Sequence, residues 1–156
     1  MMNLKKLLTT PFQSLPSKGL VIFLFVVAVL GFADAGYLTV EHYRNTIPPC
    51  TTDGCETVLT SVYATVAGIP VALGGALYYL AFLVLLMIYL DTKKEVVLRG
   101  ALVFTVLGFL ASLYFFFLQA FVIHAFCQYC IGSAITSTIL FIFAIMIFKK
   151  SHDSRN

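Results

Sequence analysis

Four uninterrupted apolar stretches account for most of this 156-residue sequence, running from about residues 19 to 40, 68 to 90, 99 to 123 and 127 to 148. A helix that crosses the hydrocarbon core of a bilayer needs roughly 20 apolar residues, and each stretch meets that length. The runs are continuous rather than alternating, and they are too long for the strands of a membrane barrel. Composition agrees, with 60% hydrophobic and only 11% charged residues, where a soluble domain carries about a quarter charged. The same figures exclude a disordered chain, and a scattered net charge of +3 gives no footprint for nucleic acid. The expected fold is an all-α integral membrane protein: a four-transmembrane-helix bundle over residues 19–148, with a short extracytoplasmic loop helix. Residues 1–18 and 149–156 flank it as cytoplasmic segments.

Orientation follows from the basic residues beside the spans. Lys5, Lys6 and Lys18 precede the first span, Lys93, Lys94 and Arg99 fall at the second turn, and Lys149, Lys150 and Arg155 follow the last. Nine of the ten basic residues thus share one side, and Arg44 alone lies in the long loop 41–67. Both termini are expected in the cytoplasm, with the long loop outside. A competing reading takes Lys5, Lys6, the first apolar run and Ala33-Asp34-Ala35 as a cleaved signal peptide. Cleavage there would remove the first helix and leave the loop outside.

All four cysteines map to the side away from the basic residues, where an oxidising compartment lets disulfides persist. Cys50 and Cys55 are spaced C-x4-C in the loop, and Cys127 and Cys130 form a C-x-x-C at the mouth of the fourth span. Four cysteines allow three pairings, and spacing does not choose among them. Two structural staples are one reading, although a C-x-x-C bond closes too small a ring to constrain much unfolded chain. A four-thiolate zinc site is another. The spacing fits a redox pair with a lowered thiol pKa better than either.

Asp53 with Glu56 resembles a capping box that starts a helix running to about Val66, its apolar stripe formed by Val58, Leu59, Val62 and Val66. That helix places Cys55 in its first turn, as Cys127 opens the fourth span, and a helix N-terminus favours a thiolate. Cys50, behind Pro48 and Pro49, sits on a stiff exposed stretch suited to meeting another protein. Together these features describe a relay of mixed-disulfide exchanges from a soluble dithiol to a lipid-soluble acceptor, bridged by Cys55 and Cys127. With no cofactor-binding motif in the chain, a quinone follows by elimination.

These residues resemble the vitamin K epoxide reductase family, particularly its bacterial homologues without a fused thioredoxin-like domain. The likeness rests on Gly31 to Thr39 (GFADAGYLT), Cys50-x4-Cys55, Ser61, Gly68 to Gly74 (GIPVALG) and Cys127-x2-Cys130. It implies an enzyme of a bacterial inner membrane that reoxidises a separate thioredoxin-like (DsbA-like) protein outside the cytoplasm and reduces ubiquinone or menaquinone, without a metal. By the family pattern Cys50 meets the partner, Cys55 bridges to Cys127, and Cys130 acts at the quinone. Ser61 matches the family's polar residue near the redox centre. Ala134 stands where the animal enzymes carry a tyrosine, which directs the expectation to quinone rather than vitamin K epoxide. A DsbB-type quinone-linked oxidase resembles the reverse cysteine order, and a non-enzymatic bundle with staples or a metal site is the reading from another class.

Three further features stand out. Asp34 lies inside the first span near its outer end, where a carboxyl is a candidate for proton exchange with quinone or for holding the loop, beside the reading of a headgroup-level aspartate. His124, three residues before Cys127, is a candidate to favour its thiolate or a plain loop histidine. Tyr114, Phe115, Phe116, Phe117 and Phe121 read mainly as lipid-facing or packing aromatics, and Gly74, Gly75 and Gly108 as sites of close helix approach. The N-terminal Leu4, Leu7, Leu8 and Phe12 would suit an interfacial segment.

Overall fold

Each apolar stretch forms one long helix, because in lipid a chain must satisfy its own backbone groups and a helix does so within a single segment. The computed structural model describes residues 16–51 and 54–153. Its spanning helices are α1 (Lys18–Tyr43), α3 (Val71–Thr92), α4 (Glu95–Phe117, continued by a π-type turn over Leu118–Ile123) and α5 (Gln128–Asp153). The loop carries a short helix, α2 (Gly54–Leu59), and two strands, β1 (Thr65–Val66) and β2 (Ile69–Pro70). All four long helices are apolar and long enough to cross a bilayer. The Asp53 half of the expected capping box and the segment from Leu4 to Phe12 lie outside the described residues.

The helices form a ring in which α1 packs on α3 and α5, and α4 packs on α3 and α5. Leu24, Phe82, Leu86, Leu98, Leu102 and Leu140 meet in its centre with no more than 1% of their surface exposed. Outward-facing Ile22, Leu30, Leu77, Met87, Leu107 and Ile145 are all well exposed, the pattern of a surface solvated by lipid rather than water. Lipid tails are as apolar as these side chains, so close packing and buried polar contacts hold the helices together. Ser112 of α4 and Ser137 of α5 share a hydrogen bond at 2.5 Å, and Thr105 closes on its own helix by donating to the Leu102 carbonyl at 2.6 Å.

Turns set which helix ends lie together. Lys93, in the left-handed conformation (φ 54°), caps α3, and Lys94 starts α4, so that Lys18, this turn and the Lys149-Lys150 end of α5 occupy one end of the ring. The cysteines occupy the other. There the loop departs from its expected form: α2 stops at Leu59 instead of continuing to Val66. Ala67 (φ 52°) and Gly68 (φ 80°) both take positive φ and form a tight hairpin pairing Thr65 with Pro70 and Val66 with Ile69. Val62 (82% exposed) and Val66 (66%) therefore point outward instead of completing an apolar helix stripe.

Two of the three glycines read as helix-approach sites behave differently. A Cβ at Gly74 would meet nothing within 4 Å, whereas one at Gly108 would strike the Tyr78 ring. Gly108 is a notch for a side chain, as Gly31 is for the Tyr79 ring. Gly75 nears α1, with Ala35 Cβ at 3.4 Å.

Candidate functional site

Because α5 begins at Gln128, Cys127 is its N-cap, and the Cys127 carbonyl accepts from Ile131 N–H at 3.0 Å. The C-x-x-C spacing then puts Cys130 at the third helical position, whose side chain lies back over the N-cap. The result is a capping box built from sulfur. The Cys130 thiol is the strongest donor to Cys127 Sγ, joined by the backbone N–H groups of Cys130 and Tyr129. These bonds pull the Cys127 thiol down from its ordinary 9.0 to about 7, against the opposing effects of burial and of the Asp34 charge. A thiol that ionises near neutrality is a nucleophile and a good leaving group.

Gln119, which the sequence reading passed over, fixes Cys127 from the other side. The π-type turn widens the end of α4 and leaves His124 in the left-handed conformation (φ 55°), with the Gln119 carbonyl accepting from Ala125 N–H at 3.2 Å. The buried Gln119 side chain accepts from Cys127 N–H at 2.9 Å. Such a buried N–H left without a partner would cost about 1–3 kcal/mol. Single π-type turns of this kind recur at functional sites. The only hint in the sequence was a polar residue within an apolar run.

Cys50 and Cys55 are joined as a disulfide with Cα atoms 6.3 Å apart, while Cys127 and Cys130 are thiols. Cys55 falls in the first turn of α2, as the sequence suggested. It is buried with Val58 and Cys127 in one cluster, against which Cys50, Ile123, Tyr129 and Cys130 pack. Gly54 permits that contact: a Cβ there would lie 2.5 Å from the Phe126 carbonyl oxygen and 2.7 Å from its nitrogen. Backbone therefore packs on backbone one residue before each of Cys55 and Cys127. Cys50 is half-buried, whereas Cys55 is not accessible to a soluble protein.

Below this cluster a cavity of about 600 Å³ opens between the helices, with Cys130 in its wall. Asp34 lines it too, half-buried and close to α5, since a Cβ at Gly132 would sit 4.0 Å from Asp34 Oδ1. Tyr79 crosses the ring to hydrogen-bond Thr136 Oγ1 at 2.7 Å and the Ser133 carbonyl at 2.9 Å. Tyr78 lines the cavity and stacks on Phe104, centroids 5.0 Å apart, with its hydroxyl buried against Gly108. Ser61 lines the rim, but its hydroxyl donates to the Val58 carbonyl at 2.7 Å. Phe115 and Phe116 also line the cavity, while Tyr114, Phe117 and Phe121 face outward. His124 is exposed on the turn before Cys127 and is not part of the cavity wall. Among the described residues no three His, Cys, Asp or Glu side chains gather in a way that could hold a metal ion.

The sequence matches the family model of the vitamin K epoxide reductase family over residues 22–145, a span holding all four cysteines, Asp34, Ser61, Gln119 and His124. None of the curated proteins matches the chain.

Proposed function

The chain belongs to the vitamin K epoxide reductase family, and from that premise we propose that it reoxidises a soluble thioredoxin-like protein outside the cytoplasm and passes the electrons to a membrane quinone. Family membership makes it a membrane thiol–disulfide oxidoreductase. The observation that carries the finer reading is that Cys127 is buried in one cluster with Cys55, while its C-x-x-C partner Cys130 lines the cavity.

The exchange runs in balanced steps. A partner thiolate attacks Cys50 Sγ, the bond to Cys55 breaks, and Cys55 leaves as a thiolate. The second partner thiol then displaces Cys50, releasing oxidised partner and a reduced loop pair. Cys55 attacks Cys127 of a Cys127–Cys130 disulfide and Cys130 departs with the electron pair. Cys50 next attacks Cys55, restoring the loop disulfide and freeing Cys127. The chain then holds a loop disulfide beside a Cys127/Cys130 dithiol, the oxidation state described above.

A quinone held in the cavity would accept the two electrons and two protons that Cys127 and Cys130 release as their disulfide closes. What supports its place in the cavity is an apolar wall that includes Asp34 and Tyr78, whose Oδ2 and hydroxyl are buried and, among the described residues, have no hydrogen-bond partner. Such atoms are costly in an apolar wall, and they suit a ligand with polar oxygens on a flat apolar ring. Asp34 is placed to carry a proton between the outer face and the cavity, and Cys130 to give up its own as the C-x-x-C bond closes. Ser61 and His124 have supporting roles at most: the Ser61 hydroxyl already serves the backbone of α2, and His124 faces away. The nine basic residues on one side support cytoplasmic termini in a bacterial inner membrane, with the cysteines outside.

Cys130→Ser tests the reading. Membranes with this variant, mixed with reduced thioredoxin-like protein, should lose quinone reduction while a disulfide-linked complex through Cys50 still forms. Undiminished quinone turnover would contradict it.

A further inference from the structure

The two residues between the C-x-x-C cysteines bind the backbone of the other pair. Tyr129 Oη donates to the Pro49 carbonyl at 2.8 Å, and Gln128 Nε2 donates to the same oxygen at 3.4 Å. Gln128 Oε1 accepts from Thr51 N–H at 3.2 Å and from the Thr51 hydroxyl at 2.5 Å. Cys50 is thus bracketed on both sides by contacts that reach across 77 to 80 residues of sequence. The stretch from Thr46 to Cys50 has no helix or strand of its own, and at its start Thr46 N–H donates to the Glu41 carbonyl at 3.1 Å.

We infer that Gln128 and Tyr129 are positioning residues that keep Cys50 within reach of Cys55 whenever the bond between them is open. The inference rests on the exchange reading above. While the loop disulfide is closed it fixes Cys50 by itself. Once a partner has opened it, and while Cys55 is joined to Cys127, that covalent tie is gone, but none of the four bracket contacts uses a sulfur atom. They survive the chemistry and hold the local concentration of Cys50 at Cys55 high. The step served is the attack of the Cys50 thiolate on Cys55 Sγ: the Cys50–Cys55 bond forms, the Cys55–Cys127 bond breaks, and Cys127 leaves with the electron pair. The proton lost by Cys50 passes to the released sulfur or to water, and no net oxidant is consumed.

A bracket of this kind stabilises the loop disulfide over its dithiol, and so lowers its reduction potential. The test equilibrates the full-length protein in glutathione buffers and reads the loop pair by mass-tagging of its free thiols. Gln128→Leu with Tyr129→Phe should lower the disulfide's equilibrium constant about tenfold, a rise in potential of about 30 mV. Gln128→Glu, which keeps acceptor oxygens toward Thr51, should restore most of that loss when it replaces Gln128→Leu. Tyr129→Phe alone removes one hydroxyl and leaves the ring to pack on Tyr37, centroids 5.6 Å apart. It should shift the constant about threefold, and it carries the test if the double variant does not fold. An unchanged potential in the folded double variant, or in Tyr129→Phe where the double does not fold, overturns the inference. Glutathione replaces both quinone and protein partner, so a chain that failed to reduce quinone would still report on the bracket.

Discussion

The loop pair and the C-x-x-C pair meet in one buried cluster, yet their surroundings are built by different means. Cys127 and Cys130 occupy the N-cap and third position of a long helix, where spacing alone brings donors to a thiolate. Cys50 and Cys55 lie on an irregular stretch and a six-residue helix, and distant residues hold them: Gly54 against Phe126, and Pro49 and Thr51 against Tyr129 and Gln128. One pair carries its chemistry in local backbone geometry, and the other has its geometry imposed by tertiary contact. A redox centre that must open to a partner is better served by the second arrangement, since contacts without sulfur outlast the broken bond.

That difference predicts where substitution hurts most. Gly54→Ala puts a methyl group against the Phe126 backbone at 2.5 Å, so Cys55 must move away from Cys127. A displacement of about 1 Å can cost roughly 100-fold in rate, and transfer from the loop dithiol to the C-x-x-C disulfide should slow by 10- to 100-fold on that scale. Stopped-flow reoxidation of the loop pair measures it. A rate equal to that of the parent would mean that the close backbone contact has no role in exchange.

The C-x-x-C should respond to local chemistry instead. In protein with the loop pair oxidised, the Cys127 thiolate absorbance should titrate with a midpoint at about 7 rather than 9.0. Below that midpoint the thiol is protonated and exchange through Cys127 is slow; above it the rate reaches a plateau. Cys130→Ala removes the strongest donor and should raise the midpoint. Asp34→Asn removes a charge that opposes ionisation and should lower it, by the smaller amount. Shifts in the reverse sense would break the contrast between the two pairs.

The same contrast explains what could be read without coordinates. Continuous hydropathy fixes a spanning helix whatever its neighbours do, and the four spans fell within a few residues of their expected limits. The first-turn position of Cys55 and the placing of Cys127 at the opening of the fourth span were legible too, because both depend on residues close by in sequence. The length of α2 was not: Val62 and Val66 fit a helix period, but the turn at Ala67 and Gly68 needs a tertiary context to hold two-residue strands. Gln119 and Gly54 stayed hidden because their partners, Cys127 and Phe126, come from other elements. Gly108 looked like a helix contact, since a sequence does not say whether the space beside a glycine holds a backbone or the ring of Tyr78.

The central claim is that Cys55 can hand its electrons directly to Cys127. A variant carrying Cys50→Ser and Cys130→Ser leaves only these two cysteines. After mild oxidation, mass spectrometry of its peptides should show them joined to each other within one chain. If both instead remain free to react with maleimide, the two pairs do not meet and the proposed relay is wrong.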